Sequence, residues 1–260
     1  LVIAPIALLG LFYLSASNFK WFLLLILLVS GWEWANFARL QSLGRIIYAS
    51  GLGALFFVSS DFLVPWLVAA VLWWVTALWL IVQYPSQSAR WQRPDVIGLI
   101  GVVTLIPCGA SLVWLKAQSD AATVLLLLLV LIWSADIGAY FVGRRFGQRK
   151  LLPNVSPGKS VEGLVGGLVI AVIAGFATLE LMPKVDGRAL GYAGWLWLFL
   201  GIGFISVLGD LTLSMFKRSR GIKDSSQLLP GHGGFLDRLD SLFSAAPIYC
   251  GLLYLTASFK

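Results

Sequence analysis

The chain has 260 residues, of which 59% are hydrophobic and only 12% are charged. Because a soluble domain averages about 25% charged residues, this composition excludes a globular enzyme with a single anchor. It predicts an all-α polytopic integral membrane helical bundle. The formal net charge is +7, but the cations lie in short loops between apolar runs. That placement favours membrane orientation and contact with anionic lipid or nucleotide, not binding of nucleic acid.

Nine apolar segments approach the length of about 20 residues that a transmembrane helix needs. In chain order they cover residues 1–15, 20–37, 45–60, 62–82, 95–115, 121–142, 161–181, 194–216 and 242–258. The first segment is expected to be a helix whose start is missing from the sequence. We therefore expect a single membrane domain over 1–260 with about nine transmembrane helices. Helices in 1–120 have no assigned role, and helices in 121–260 carry the functional site.

The basic residues predict the orientation of these segments. Loops that follow the even-numbered segments contain 14 of the 19 lysines and arginines, and loops rich in these residues stay in the cytoplasm. The two longest segments on that side, near residues 143–160 and 217–241, are also the richest in polar residues. Polar groups this dense beside a bilayer are costly, so we expect the site at the cytoplasmic face.

The first polar cluster runs from Asp210 to Asp240, and most of its polar residues lie between Ser214 and Asp240. Asp210, Ser214 and Lys217 are spaced by four and three residues, which places them on one face of a helix. Asp237 and Asp240 are three residues apart and are expected to share a face of the next helix. The stretch LLPGHGGF before them must interrupt the helix. We therefore predict a helical hairpin that brings the three aspartates together.

This arrangement predicts a metal site. Three converging carboxylates in a region of low dielectric constant repel one another, and a divalent cation removes that repulsion. Hard oxygen ligands without clusters of histidine or cysteine point to Mg²⁺ rather than Zn²⁺. Mg²⁺ beside lysine and arginine is what phosphoryl or nucleotidyl transfer needs, because charge on the phosphates must be neutralised.

The second polar cluster runs from Asp136 to Glu162. Asp136 lies near the cytoplasmic end of a predicted span, and glycines flank the basic pair Arg144 and Arg145. A helix N-terminus with serine and lysine suits a phosphate. The residues expected to open such a helix are Ser156, Lys159, Ser160 and Glu162. A Walker A loop is excluded here, because Pro153 occupies the position of its first glycine.

At these clusters the sequence resembles the phosphatidate cytidylyltransferases, also called CDP-diacylglycerol synthases. The family pattern joins S-x-[aliphatic or aromatic]-K-R, K-D, a small residue, L-P-x-H-G-G and D-R-x-D at fixed spacing. The chain supplies it with Ser214, Phe216, Lys217, Arg218, Lys223, Asp224, Ser226, Leu229, Pro230, His232, Gly233, Gly234, Asp237, Arg238 and Asp240. Ser226 stands where many members carry glycine. The stretches D-x-G-A-Y and S-P-x-K-S-x-E-G also resemble the family, so the resemblance covers residues 136–241.

The resemblance implies a nucleotidyltransferase that uses CTP and bilayer phosphatidate to make CDP-diacylglycerol and pyrophosphate, in phospholipid biosynthesis. We expect it in the bacterial inner membrane, with the active site facing the cytoplasm. The implied ligands of Mg²⁺, alone or with a second cation, are Asp210, Asp237 and Asp240. The implied catalytic residues are Lys217, Arg218, Lys223, Asp224, His232 and Arg238. The implied substrate-binding residues are Asp136, Arg144, Ser156, Lys159, Ser160, Glu162, Ser214, Gly233 and Gly234.

Two other functions fit parts of the sequence. A CTP-dependent lipid kinase of the polyprenol or phytol type would bind CTP and a metal but release CDP. The complete H-G-G and D-R-x-D pattern favours the cytidylyltransferase. A transporter would bind its cargo at Asp136 and Asp210, although the polar residues cluster at one face. Gly163 and Gly167 predict close helix packing, within the monomer or across a homodimer. Glu33, between two tryptophans, is expected to be interfacial.

Overall fold

The computed structural model describes residues 8–10, 12–86, 88–182, 190–229, 231 and 233–258. Its helices are α1 (Ala16–Phe37), α2 (Ser42–Ser59), α3 (Leu63–Gln83), α4 (Ser88–Trp91), α5 (Pro94–Lys116), α6 (Ala121–Phe146), α7 (Val161–Leu181), α8 (Gly191–Arg220) and α9 (Asp240–Ser258). Two short strands, β1 (Lys150–Leu152) and β2 (Ser156–Ser160), lie between α6 and α7. A 3₁₀ turn (Leu236–Arg238) precedes α9.

From the second predicted segment onward, each segment matches a long helix to within four residues at either end. Among the described residues, six helices are long and apolar enough to cross a membrane: α2, α3, α5, α6, α7 and α8. The chain is therefore an all-α integral membrane protein, as predicted. The number nine is not confirmed: α1 and α9 are not among the six, and about half of the predicted segment 1–15 lies outside the described residues. The cations Lys184, Arg188 and Lys260 also lie outside them.

Helices α6 and α7 pack with almost no side chain between their backbones. A Cβ atom on Gly167 would lie 2.5 Å from the carbonyl oxygen of Ala135, and one on Gly163 would lie 2.9 Å from that of Ala139. Only glycine permits such an approach. The G-x-x-x-G motif thus serves packing within the monomer, which is one of its two predicted uses. The contact fixes the C-terminal half of α6 against the N-terminal half of α7.

An aromatic cluster joins the C-terminal ends of α1 and α8. The ring centroid of Phe216 lies 5.4 Å from that of Trp34 and 6.1 Å from that of Phe37. All three side chains are buried, and such ring pairs add to the free energy gained by burial. The cluster therefore places the end of the first described long helix beside the end of the helix that carries Asp210.

The segment between α6 and α7 is a β-hairpin and not the start of a helix. Strands β1 and β2 pair antiparallel. The prediction that Ser156 and Lys159 open the helix is therefore wrong, because both lie in β2 and α7 begins at Val161. For Ser160 and Glu162 it is confirmed: the Ser160 hydroxyl caps α7, accepting a hydrogen bond of 3.1 Å from the backbone N–H three residues later, and Glu162 lies in the first turn. Pro157 and the glycine after it disfavour a helix, which explains the extended backbone.

Helices α8 and α9 pack against each other, which confirms the predicted helical hairpin, but the segment that joins them differs from the prediction. Gly221 ends α8 in the left-handed conformation, with φ of 72°, and the described residues from 222 to 235 form no helix. Asp237 lies in the 3₁₀ turn and Asp240 begins α9, so the prediction that they share a face of one α-helix is wrong. The Asp237 carboxylate accepts a hydrogen bond of 3.0 Å from Gly234 N. This local hydrogen bond competes with an extension of α9 toward its N-terminus.

Candidate active site

A cavity of about 430 Å³ opens where the C-terminal halves of α6 and α8 meet the β-hairpin, α7 and the 3₁₀ turn. Its charged lining residues are Asp136, Arg144, Lys159, Asp210, Asp237 and Asp240. The glycine contact between α6 and α7 brings in the second polar cluster, and α8 brings in the first. The fold therefore merges the two polar clusters of the sequence into one site.

An ion pair joins the β-hairpin to α8 across this cavity. Lys159 Nζ lies 2.5 Å from Asp210 Oδ2. Asp210 Oδ1 accepts a hydrogen bond of 3.2 Å from the Ser214 hydroxyl, one turn further along α8. The predicted shared face of Asp210 and Ser214 is thereby confirmed. Lys159 is held in place by its partner while remaining partly exposed to the cavity.

A second ion pair joins α8 to the 3₁₀ turn. Lys217 Nζ lies 2.6 Å from Asp237 Oδ1. Asp237 Oδ2 accepts hydrogen bonds from Ser225 N at 2.9 Å and from Gly234 N at 3.0 Å, and the Ser225 hydroxyl oxygen lies 3.1 Å from it. Burial raises the pKa of Asp237, but Lys217 and the N–H donors outweigh it and hold that pKa below its usual value. The carboxylate is therefore charged at neutral pH.

Two further aspartates line the cavity without a cationic partner. Within the ranges that the structure describes, no ion pair reaches Asp136 or Asp240. Asp240 accepts a hydrogen bond of 2.8 Å from the N–H of the next residue, and it lies within electrostatic range of both Asp210 and Asp136. This side of the cavity therefore concentrates carboxyl groups.

Comparison with known proteins identifies the family. A family model described as the cytidylyltransferase family matches residues 1–256. The chain belongs to the cytidylyltransferase family. A phosphatidate cytidylyltransferase of Pseudomonas aeruginosa is 42% identical over 272 residues, covering 98% of this chain and 94% of the relative. One from Haemophilus influenzae is 39% identical over 271 residues, covering 96% and 94%. One from Bacillus subtilis is 46% identical over 127 residues, covering 48% and 45%. The resemblance found in the sequence is confirmed.

Part of the predicted site of this cytidylyltransferase lines the cavity directly. The residues that do so are Asp136, Arg144, Lys159, Ser160, Asp210, Asp237 and Asp240. Ser214 and Lys217 act on the cavity through the aspartates that they contact. His232 lies outside the described residues. Tyr140 and Leu151 also line the cavity. The D-x-G-A-Y stretch contains Tyr140, although it was not among the predicted site residues, and no signal in the sequence marked Leu151.

The other predicted residues hold surrounding structure or lie on the loop. Glu162 accepts hydrogen bonds from Gln148 N at 3.0 Å and Arg149 N at 3.2 Å, which closes the base of the hairpin. Arg218 Nε donates to the carbonyl oxygen of Val155 at 3.4 Å and ties the hairpin tip to α8. Predicted site residues that are not among those lining the cavity also include Ser156, Lys223, Asp224, Gly233, Gly234 and Arg238.

The carboxylates fit a hard cation by their chemistry, but they are not preassembled around one. Among the described residues, no three His, Cys, Asp or Glu side chains converge closely enough to hold a metal ion. Asp237 is the least suited of the predicted ligands, because Lys217, Ser225 and Gly234 already donate to its oxygens. Asp210 and Asp240 are better suited, since mutual repulsion of carboxylates favours a bound cation.

Sequence reasoning missed the structural importance of Glu33 on α1. Its side chain is fully buried within the protein, whereas the sequence led us to expect an interfacial residue. Its carboxylate accepts hydrogen bonds from the loop before the 3₁₀ turn. The signal that marks it is a carboxylate inside an apolar segment, although its partners are too distant in the chain to be read from spacing.

Proposed function

We propose that this protein is a phosphatidate cytidylyltransferase. It transfers a cytidylyl group from CTP to phosphatidate, giving CDP-diacylglycerol and pyrophosphate. The observation that carries the proposal is the single cavity in which two lysine–aspartate pairs meet two further aspartates. Similarity over nearly the full length to two proteins named phosphatidate cytidylyltransferase supports the choice of substrates.

The proposed reaction is a displacement at phosphorus. A phosphate oxygen of phosphatidate attacks the α-phosphorus of CTP, and the bond from that phosphorus to the oxygen of the leaving pyrophosphate breaks. Both reactants are anions, so the reaction needs charge neutralisation and alignment. Lys159 and Arg144 supply positive charge from the cavity wall. Lys217 supplies it from α8, and its carboxylate partner holds it in position before substrate binds.

Mg²⁺ is the cofactor that we propose for this site. Asp210 and Asp240 would bind the ion, with Asp136 beside them. Asp237 would not be a ligand, because it forms the ion pair with Lys217. When bound, Mg²⁺ supplies positive charge to the phosphates of CTP. The support is the cluster of three aspartates on one side of the cavity.

The proposed setting is the cytoplasmic face of a bacterial inner membrane. The excess of lysine and arginine in the loops on the cavity's side of the chain supports this orientation. CTP would then reach the cavity from the cytoplasm. A homodimer stays a prediction, and the G-x-x-x-G motif gives it no support because Gly163 and Gly167 face α6 of the same chain.

The deciding experiment measures pyrophosphate released by purified protein in micelles that contain phosphatidate, with CTP and Mg²⁺. The proposal expects release that needs both substrates and falls about 100-fold or more in Asp240→Asn. Asp61→Asn is the matched control, because Asp61 is exposed, pairs with Lys20 and does not line the cavity. Its activity should equal that of the wild type.

Other outcomes point to the other functions. CDP formed with a prenol, in place of pyrophosphate, would identify the CTP-dependent lipid kinase. Neither product under varied lipid and cation conditions would favour a transporter that binds its cargo at Asp136 and Asp210.

A further inference from the structure

Glu33 is a buried carboxylate for which the proposed reaction has no direct use. It lies on α1, is 0% exposed, and is not among the residues that line the cavity. Its oxygens accept hydrogen bonds from Phe235 N at 2.9 Å, Leu236 N at 2.7 Å and the Ser225 hydroxyl at 2.9 Å. The Ser226 hydroxyl donates a fourth. All four donors belong to the segment 225–236, about 200 residues away in the chain.

These contacts are strong enough to define the shape of that segment. A buried carboxylate is costly unless hydrogen bonds satisfy it, and bonds to an ionised acceptor are about twice as strong as neutral ones. Two of the donors are backbone N–H groups at the start of the 3₁₀ turn, where the backbone has no partner of its own. Asn36, one turn later on α1, adds a hydrogen bond of 3.1 Å to the carbonyl oxygen of Ser225. The end of α1 is thus the surface on which the loop is ordered.

The same segment positions the Lys217–Asp237 pair. The Ser225 hydroxyl lies 2.9 Å from Glu33 Oε2 and 3.1 Å from Asp237 Oδ2. Ser225 N and Gly234 N donate to the same oxygen of Asp237. Displacing Ser225 or the start of the 3₁₀ turn therefore moves Asp237, and with it the Nζ of Lys217.

We propose that Glu33 is a positioning residue for cytidylyl transfer: it fixes the loop 225–236 so that Asp237 holds Lys217 at the cavity. The role rests on the proposed function, because it concerns the geometry of the same site. Glu33 touches no substrate in this role. It acts through Ser225 and Asp237.

Glu33→Gln tests the role with minimal change in shape. Each oxygen of Glu33 accepts from one backbone N–H, that of Phe235 or that of Leu236. Either orientation of a glutamine amide therefore sets its NH₂ group against an N–H donor. We expect kcat to fall by about 10- to 100-fold, as for residues that orient catalytic groups. The KM for CTP should stay within about threefold, because Lys159 and Arg144 are unaffected.

Two readouts separate positioning from a merely structural role. The first is kcat per folded molecule, with the folded fraction taken from size exclusion and thermal unfolding. The second is hydrogen exchange, where the amides of 225–236 should lose protection while α5 and α6 keep theirs. Glu180→Gln is the matched control, since Glu180 is exposed, and it should change neither readout.

Ser225→Ala is the second variant, and it answers the question even where Glu33→Gln does not fold. It removes the hydroxyl between the two carboxylates and leaves both backbone donors to Glu33 in place. We expect kcat to fall in Ser225→Ala alone and, where Glu33→Gln folds, the two losses not to be additive. Additive losses, or a kcat within about twofold of wild type in either variant, would overturn the proposal. A wild-type protein that releases no pyrophosphate would disprove the proposed function. The hydrogen-exchange measurement would still decide whether Glu33 orders the loop.

Discussion

Lys159 on the β-hairpin and Asp210 on α8 form an ion pair of 2.5 Å across the candidate active site. The two side chains are 26% and 27% exposed, so solvent screening keeps the contribution of this pair to stability small. A phosphate group that enters the cavity competes with Asp210 for the same lysine. The pair therefore presents a positive charge to the substrate at a fixed place.

Removal of the Lys159 charge should abolish most of the activity. Lys159→Met is expected to lower kcat/KM for CTP by about 100-fold or more, because a phosphate loses its cation and Asp210 loses its partner. Pyrophosphate release measures this. Lys150→Met, at an exposed lysine of the same hairpin, should retain activity close to wild type. Equal losses in the two variants would show that the hairpin supplies only general positive charge.

The aspartates of the cavity should divide into two groups by their response to Mg²⁺. Asp210→Asn and Asp240→Asn are expected to raise the Mg²⁺ concentration for half-maximal activity by about tenfold or more, as loss of a ligand does. Asp237→Asn should lower kcat with little change in that concentration, because Asp237 serves Lys217. A Mg²⁺ titration of each variant measures this. A large shift in Asp237→Asn alone would contradict the assignment.

The contact between α6 and α7 should tolerate no added methyl group. Gly167→Ala is expected to destabilise the protein by about 1–3 kcal/mol, because its Cβ would lie 2.5 Å from the Ala135 carbonyl oxygen. Gly201→Ala in α8 is the control, since its Cβ meets nothing within 4 Å. That variant should be as stable as the wild type or slightly more so. Thermal unfolding in detergent measures both, and equal melting temperatures would refute the direct backbone contact.

The Lys217–Asp237 pair should contribute stability that depends on pH in one direction. The pKa of Asp237 is lowered in the folded protein, net of burial, by Lys217 and by N–H donors. Its contribution is therefore present above the unfolded carboxyl pKa of about 3.9, and it is lost as the pH falls through the lower folded pKa. The difference in melting temperature between wild type and Asp237→Asn should stay constant from about pH 6 to 8 and shrink below about pH 4. A difference that changes near neutral pH would point to another group.

The length of the apolar segments predicts the long helices, because a chain that crosses a bilayer needs about 20 apolar residues and must satisfy its backbone hydrogen bonds within the segment. Segment 161–181 coincides with α7, and 242–258 begins two residues after the start of α9. Local spacing also predicts the contact of Ser214 with Asp210, since residues four apart on a helix are neighbours. The family pattern names Asp237 and Asp240, which line one cavity, and Lys217, which pairs with Asp237.

Contacts between distant segments lie beyond such reasoning. The strand pairing of 156–160 depends on its partner strand and on the cap that Ser160 gives to α7, and neither follows from local propensity. Glu33 between two tryptophans has the pattern of an interfacial residue. Its burial is decided by donors in the loop 225–236, which the sequence of α1 does not contain.

The placement of Glu33 also has a consequence for the order of assembly. Chains fold from the N-terminus during synthesis, so α1 is made well before Ser225, which lies 192 residues later. Until that loop is made, the carboxylate lacks its donors, and a bare carboxylate in an apolar setting is costly. The loop that completes the active site is therefore the same loop that satisfies the Glu33 carboxylate, and both happen late in folding. A chain that stops short of the loop leaves an unsatisfied acid in α1, which distinguishes it from the finished protein.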